Sequence, residues 1–267
     1  MELEIDVVDA FTDALFGGNP AAVIITESWL ADELMQSIAT ENNLSETAYL
    51  VKSGAGSYHI RWFSPIREID FCGHATLASA HVLFAQYPEL DTIVFEAKAV
   101  GRLPVTRTDS GRIEMTFPNT KPEKVKIDDL PDDLLNGLSI LPVEVFRNSQ
   151  AYFVLCESEK ELLSVQRDNA LLKRLFPHDV VVTCQAESPE YDFVSRYFWP
   201  AKGGDEDPVT GSIHTGLAPF WAERLNKSEL VAYQASNRGG KLYCRVREDR
   251  VIISGHAVSY LKGCIHI

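Results

Sequence analysis

Two short stretches of the chain concentrate residues able to hold an anion or move a proton. Asp70-Phe71-Cys72-Gly73-His74 leads into the run GHATLASAHVLFAQY, and Asp205-Glu206-Asp207-Pro208-Val209-Thr210-Gly211-Ser212 leads into GSIHTGLAPFWAERL. Both runs are apolar or small on nearly every side, the pattern of a helix buried all round. A helix start offers unpaired N–H groups and a partial positive charge, which suits a carboxylate. Glycine at Gly73 and Gly211 lets a ligand approach the backbone closely. The chemistry marked out is the binding of a small acid at two helix starts, with side chains at hand for proton transfer.

Each of these residues also has a plainer reading, and spacing alone leaves both open. His74, Ser212 and Asp207 could each do no more than cap a helix. Glu46, in NNLSETAYL, reads by itself as a solvated surface charge. Cys72 beside a helix start could be a low-pKa thiolate, because the helix dipole favours the anion. A two-cysteine racemase needs a facing thiol, however, and the counterpart in the second stretch is Thr210, or Pro208 two residues off. Cys72 then reads as a small packed residue. Cys72-x-His74 has no further ligands at recognisable spacing, so no metal site is expected. His214 and His256 form no motif.

The elements that must position these residues are mostly strands. AAVIIT follows the turn signal GGNP, and TAYLV, SYHIRWF, TIVFEA, RIEMTF, AYFVLC, DVVVT, DFVSRYF, KLYCRV and RVIISG are further β-branched runs bounded by turn residues. With few helical patterns among them, the fold class is α+β. A helix is expected from Ser28 to Asn42, with Leu30, Leu34, Met35 and Ile38 on one face and Ser28 as its cap. Pro219 lies inside the second buried run and must kink that helix or begin a new turn.

The chain also echoes itself. Arg61-Trp62-Phe63-Ser64-Pro65 runs towards Gly73-His74, and Arg196-Tyr197-Phe198-Trp199-Pro200 runs towards Gly211-Ser212. A weaker match precedes each, Asn19-Pro20-Ala21-Ala22-Val23 and Asn148-Ser149-Gln150-Ala151-Tyr152. Two copies are too few for a solenoid, so the reading is a duplicated domain with pseudo-two-fold symmetry. The halves are expected at 1–118 and 119–267, with the last strand free to return to the first half, and with both buried helices starting in the cleft where the halves meet.

Composition narrows the function classes. The chain has 267 residues, 45% of them hydrophobic, and a formal charge of -13. That charge repels a phosphate backbone and an anionic lipid surface, so neither nucleic acid nor membrane is expected as a partner. The start MELEIDVVDAF lacks the basic and apolar regions of a signal peptide. Its five cysteines are odd in number and widely spaced. A reducing cytoplasm is the expected location.

Taken together, GGNPAAV, NLSETAYL, RWFSP, FCGHATLASAHVLF and EDPVTGS resemble, in this order and across nearly the whole chain, the PhzF-like isomerase family of phenazine biosynthesis. The resemblance implies a diaminopimelate epimerase-like fold, two pseudo-symmetric halves each wrapping a strongly curved, mostly antiparallel sheet round a central helix. It implies a proton shift on a small carboxylate metabolite without cofactor or metal, in a homodimer. Residue by residue it makes Glu46 the general acid/base, with His74, Asp207 and Ser212 as catalytic partners. Gly73, Gly211, Asn19, Cys72 and Thr210 are implied to bind substrate. A single base favours isomerisation over racemisation, which needs acids on both faces. Cys72 departs from the phenazine enzyme itself, so phenazine synthesis is not implied. Two other readings stay open: a racemase or epimerase using Cys72, and a non-catalytic small-acid-binding protein. The segments Ile66-Arg67-Glu68-Ile69 and Ala201-Lys202-Gly203-Gly204 are expected to set specificity.

Overall fold

The computed structural model describes residues 1–267, which divide into two compact units, Met1–Thr116 with Ser254–Ile267, and Phe117–Ile253. The division falls at 116/117 rather than 118/119, and the C-terminal segment belongs to the first unit. In chain order the first unit supplies β1 (Glu2–Ala10), β2 (Asn19–Thr26), α1 (Asp32–Asn42), β3 (Glu46–Gly54), β4 (Ser57–Phe63), β5 (Glu68–Ile69), α2 (Gly73–Gln86), β6 (Thr92–Ala97), β7 (Gly101–Arg107) and β8 (Ile113–Pro118). The second supplies β9 (Glu123–Val125), α3 (Asp132–Asn136), β10 (Glu144–Arg147), β11 (Ala151–Leu155), α4 (Glu159–Ser164), α5 (Asn169–Leu172), β12 (Asp179–Gln185), β13 (Phe193–Phe198), β14 (Glu206–Asp207), α6 (His214–Leu225), β15 (Glu229–Gln234) and β16 (Gly240–Val246). β17 (Arg250–Gly255) and β18 (Ala257–His266) complete the chain, and β18 pairs antiparallel with β1.

The echo in sequence is an echo in topology. In the first unit β1 and β2 are antiparallel, β2 and β3 parallel, β3 and β4 antiparallel, and β4 and β6 parallel. In the second, β10, β11, β12, β13 and β15 repeat that sequence of pairings. The repeated arginines do the same work in each. Arg61 grips Glu68 with two hydrogen bonds of 2.6 and 2.7 Å, and Arg196 grips Glu206 with two of 2.8 and 2.9 Å. Such bidentate pairs hold the two-residue strands β5 and β14 against β4 and β13.

The buried helices are central to their units, because their sequences leave no polar face to show to water. In α2 Gly73 to Ala80 and Val82 to Phe84 are buried, and the helix packs on β1, β2, β3, β7 and β18. α6 begins at His214, with Gly211 to Ile213 in a turn ahead of it, and is buried from His214 to Trp221. It runs through Pro219 without starting afresh. The N–H that proline lacks leaves the Thr215 carbonyl free, and the Thr120 N–H takes it at 3.1 Å.

α1 corrects the expected start at Ser28. The helix begins at Asp32 behind Ala31, whose ψ of 142° is extended, and no side chain caps it. Asp32 and Glu33 in its first turn complement the dipole instead, and Arg61 donates to Asp32 at 2.8 Å. The expected apolar face holds: Met35 and Ile38 are buried with Tyr49 and Phe63, and Leu30 and Leu34 pack against them.

Candidate active site

In the first unit four of the expected residues converge from three elements. Gly18 has a φ of +62°, and a Cβ there would lie 2.1 Å from the Ala10 carbonyl oxygen. Only glycine fits that turn, and it delivers Asn19, fully buried, to the first position of β2. Glu46 is the first residue of β3, opposite Ala21. Cys72 precedes α2 in extended conformation, its carbonyl accepting from the Thr76 hydroxyl at 2.6 Å. His74 is on the first turn of α2.

Glu46 Oε2 lies 2.9 Å from His74 Nε2. The other ring nitrogen, Nδ1, faces Asn19 Nδ2 at 3.2 Å and Cys72 Sγ at 3.4 Å. Glu46 is 9% exposed, and Cys72 and His74 are each 6% exposed, which removes the surface-charge reading of Glu46. Apart from the histidine ion pair, Glu46 Oε2 has no hydrogen-bond donor in the protein. A buried carboxylate oxygen left this way costs stability, so its retention points to use. Burial works against a charged ring at His74, but the Glu46 carboxylate 2.9 Å away favours it, and His74 is held above the usual imidazole range.

Cys72 is packed, as its plainer reading had it. Burial, with the Glu46 charge beside it, pushes the thiol up to about 11, because desolvation outweighs the dipole of the helix start. Nor does His74 cap α2, whose N-cap position is Cys72 with no side-chain cap bond. The ligand atoms of Glu46, Cys72 and His74 lie within 4.8 Å of one another. They form the group in this unit that could hold a metal ion, and its third donor comes from β3 rather than from local spacing.

The second unit gathers Asp207, Thr210 and Ser212 in one segment. Asp207 ends β14 opposite Tyr197. Thr210 donates its hydroxyl proton to Asp207 Oδ2 at 2.5 Å. Buried Gln234 ties the segment down, donating to the Asp207 carbonyl at 2.8 Å and accepting the Thr210 N–H at 2.9 Å. His214 Nδ1 lies 2.8 Å from the Thr210 carbonyl, and burial pushes this ring down to about 4, so it is a neutral donor. Ser212 Oγ accepts from Gln150 Nε2 at 2.9 Å. Neither Asp207 nor Ser212 caps α6, whose N-cap is Ile213 without a side-chain cap. Gly73 and Gly211 are both buried at the approaches to their helices.

Gln150, Gln234 and His214 were not singled out as functional in the sequence; Gln150 was visible only as part of the weaker echo. Two residues of the expected specificity segments are committed elsewhere, Glu68 to Arg61 and Lys202 to Asp179 at 2.7 Å.

Two α+β units of one topology, each with a buried helix starting beside polar side chains, make an epimerase-like fold. The sequence pattern of the PhzC-PhzF family, phenazine biosynthesis-like protein, matches residues 8–263, and the chain belongs to that family. It is 48% identical over 267 residues, 100% of both chains, to an uncharacterized isomerase of Pseudomonas aeruginosa. A crystal structure of a phenazine biosynthesis protein of the PhzF family from Enterococcus faecalis superposes with a TM-score of 0.93 at 42% identity, covering 100% of each chain. A hydroxyproline epimerase from Agrobacterium vitis shares the fold, with a TM-score of 0.61 at 10% identity over 99% of this chain and 92% of its own. The protein is therefore an enzyme of the isomerase class. No helix is long and apolar enough to cross a membrane.

Proposed function

We propose that the protein catalyses a proton shift within a small carboxylate, with Glu46 taking a proton from carbon and returning it to another carbon on the same face. The observation that carries this reading is the buried Glu46 oxygen, 2.9 Å from His74 Nε2 and otherwise without a donor. Such a carboxylate is desolvated and held in place, the state in which a carboxylate is a stronger base. The His74 imidazolium beside it balances the charge at the site. As the proton leaves carbon, negative charge builds on a dienolate-like intermediate, and the N–H groups at the start of α2 can receive it. No step in this scheme requires a group beyond the chain itself.

The roles of Asp207 and Ser212 as orienting groups for the substrate carboxylate are part of the same proposal. They are supported by the way Thr210 and Gln150 hold the two side chains and Gln234 holds the Asp207 backbone. A thiol-based racemase has less support, since Cys72 is buried and its thiol pushed up to about 11. Incubation in D2O with small unsaturated, cyclic and amino carboxylic acids, read by proton NMR, tests the proposal. Deuterium entering a carbon-bound position of one acid class is the expected result.

A further inference from the structure

Asp179 opens β12 opposite Ala151, the register position that Glu46 holds opposite Ala21 in the first unit. The second unit thus has a buried acid, 2% exposed, where the first has its base. Asp179 Oδ2 accepts from the Tyr197 hydroxyl at 2.5 Å and from the Lys202 ammonium at 2.7 Å. Gln150 Nε2 lies 3.1 Å from the Tyr197 oxygen and 2.9 Å from Ser212 Oγ. A chain of contacts therefore runs from Asp179 through Tyr197 and Gln150 to Ser212.

The chemistry of the groups fixes the direction of every bond in that chain. The Lys202 ammonium can only donate, so Asp179 Oδ2 is an acceptor. Burial and the Asp179 charge hold the Tyr197 phenol well above its ordinary value, so Tyr197 keeps its proton and gives it to Asp179. The Tyr197 oxygen then has only lone pairs to offer, and the part of the Gln150 amide that faces it must be the NH2. The same nitrogen faces Ser212, so Ser212 Oγ also accepts. Its own proton is turned away from Gln150 and is left for a ligand.

We infer that Gln150 is a positioning residue that locks Ser212 as a hydrogen-bond donor to an acceptor oxygen of the bound acid, with Asp179, Tyr197 and Lys202 setting that polarity. The inference rests on the proposed reading of Ser212 as a group that orients the ligand. Gln150 occupies one lone pair of Ser212 Oγ and leaves the hydroxyl proton as the group that a ligand oxygen can take up. A carboxylate or carbonyl oxygen is the chemistry that fits.

The test uses the full chain with nitrogen-15 in its glutamine side chains. Ser212→Ala and Tyr197→Phe are each expected to shift the Gln150 amide signal; a signal indifferent to Ser212→Ala overturns the inference. This readout needs no substrate, so it stands even if no acid in the panel is labelled and the proposed function fails. With an acid that the wild type labels, Gln150→Met is expected to raise KM about 10-fold with little change in kcat, the worth of one hydrogen bond to a charged group. Gln150→Glu, which offers Ser212 an acceptor and draws its proton inward, is expected to raise KM further, by up to about 100-fold. Combining it with Ser212→Ala should cost no more than Ser212→Ala alone. A KM equal to wild type in both Gln150 variants overturns the inference, and Gln150→Met alone decides it if Gln150→Glu fails to fold.

Discussion

Glu46 and Asp179 occupy the same register position in equivalent parallel strand pairs, yet they have opposite surroundings. Glu46 Oε2 has only the His74 ring beside it, whereas Asp179 Oδ2 is gripped by Tyr197 and Lys202. Asp179 Oδ1 is buried without a hydrogen-bond donor, as Glu46 Oε2 is apart from the His74 ring, so the two acids differ in the grip on one oxygen.

The two acids should separate in a stability measurement. Asp179→Asn leaves Lys202 without its anion and is expected to cost about 2 kcal/mol. Glu46→Gln takes the anion from His74, which can answer by losing its proton, and is expected to cost less than Asp179→Asn. Chemical denaturation of both variants checks the contrast; a larger loss in Glu46→Gln would show that Glu46 is a structural anchor.

His74 should remain protonated beyond the ordinary imidazole value of about 6.5, because the Glu46 carboxylate outweighs the effect of its burial. The sign follows from a raised value in the folded state. The stabilisation is complete below the unfolded value and is lost as pH rises through the folded one. Titration of the His74 ring nitrogens by NMR checks this, and Glu46→Gln should move the midpoint down. A midpoint at or below the ordinary value would contradict the ion pair.

Cys72 should be dispensable for chemistry. With the thiol pushed up to about 11 and 6% exposed, alkylation by iodoacetamide at neutral pH is expected to be slow, because the thiolate is the reactive form. Cys72→Ala is expected to keep activity within about 10-fold of wild type, a change too small for a lost nucleophile. Rapid inactivation that Cys72→Ala abolishes would revive the thiol-based reading.

Much of this was legible in sequence, and the parts that were not share a physical cause. The two buried helices, the duplication and the residues at the helix starts are local patterns, so GHATLASAHVLFAQY and Arg61 to Pro65 announce them directly. What sequence could not offer was pairing across strands. Glu46 looked like a surface charge because its partner, His74, lies on another element, and nothing in NNLSETAYL encodes that contact. Asp179 was passed over for the same reason, since its role appears only when β11 and β12 are in register. Ser28 failed as a cap because Asp32 and Glu33 start the helix a turn later, helped by an arginine on β4.

The repeated arginines give a further test. Arg196 and Glu206 have side chains only 12% and 16% exposed, against 22% and 44% for Arg61 and Glu68. Breaking the drier pair leaves a more deeply buried carboxylate, so Arg196→Leu is expected to cost about 3 kcal/mol. Arg61→Leu is expected to cost roughly 1 kcal/mol, nearer the value for solvated pairs. Thermal unfolding of the two variants checks the order, and equal losses would mean that burial does not govern these pairs.

The most direct measurement is deuterium uptake from D2O into carbon-bound positions of a small carboxylate, compared between wild type and Glu46→Gln at matched folded concentration. Uptake by the wild type is expected, with a loss of about 100-fold or more in the variant, the worth of a positioned acid/base. Equal uptake by both proteins would contradict the assignment of Glu46 as the group that moves the proton.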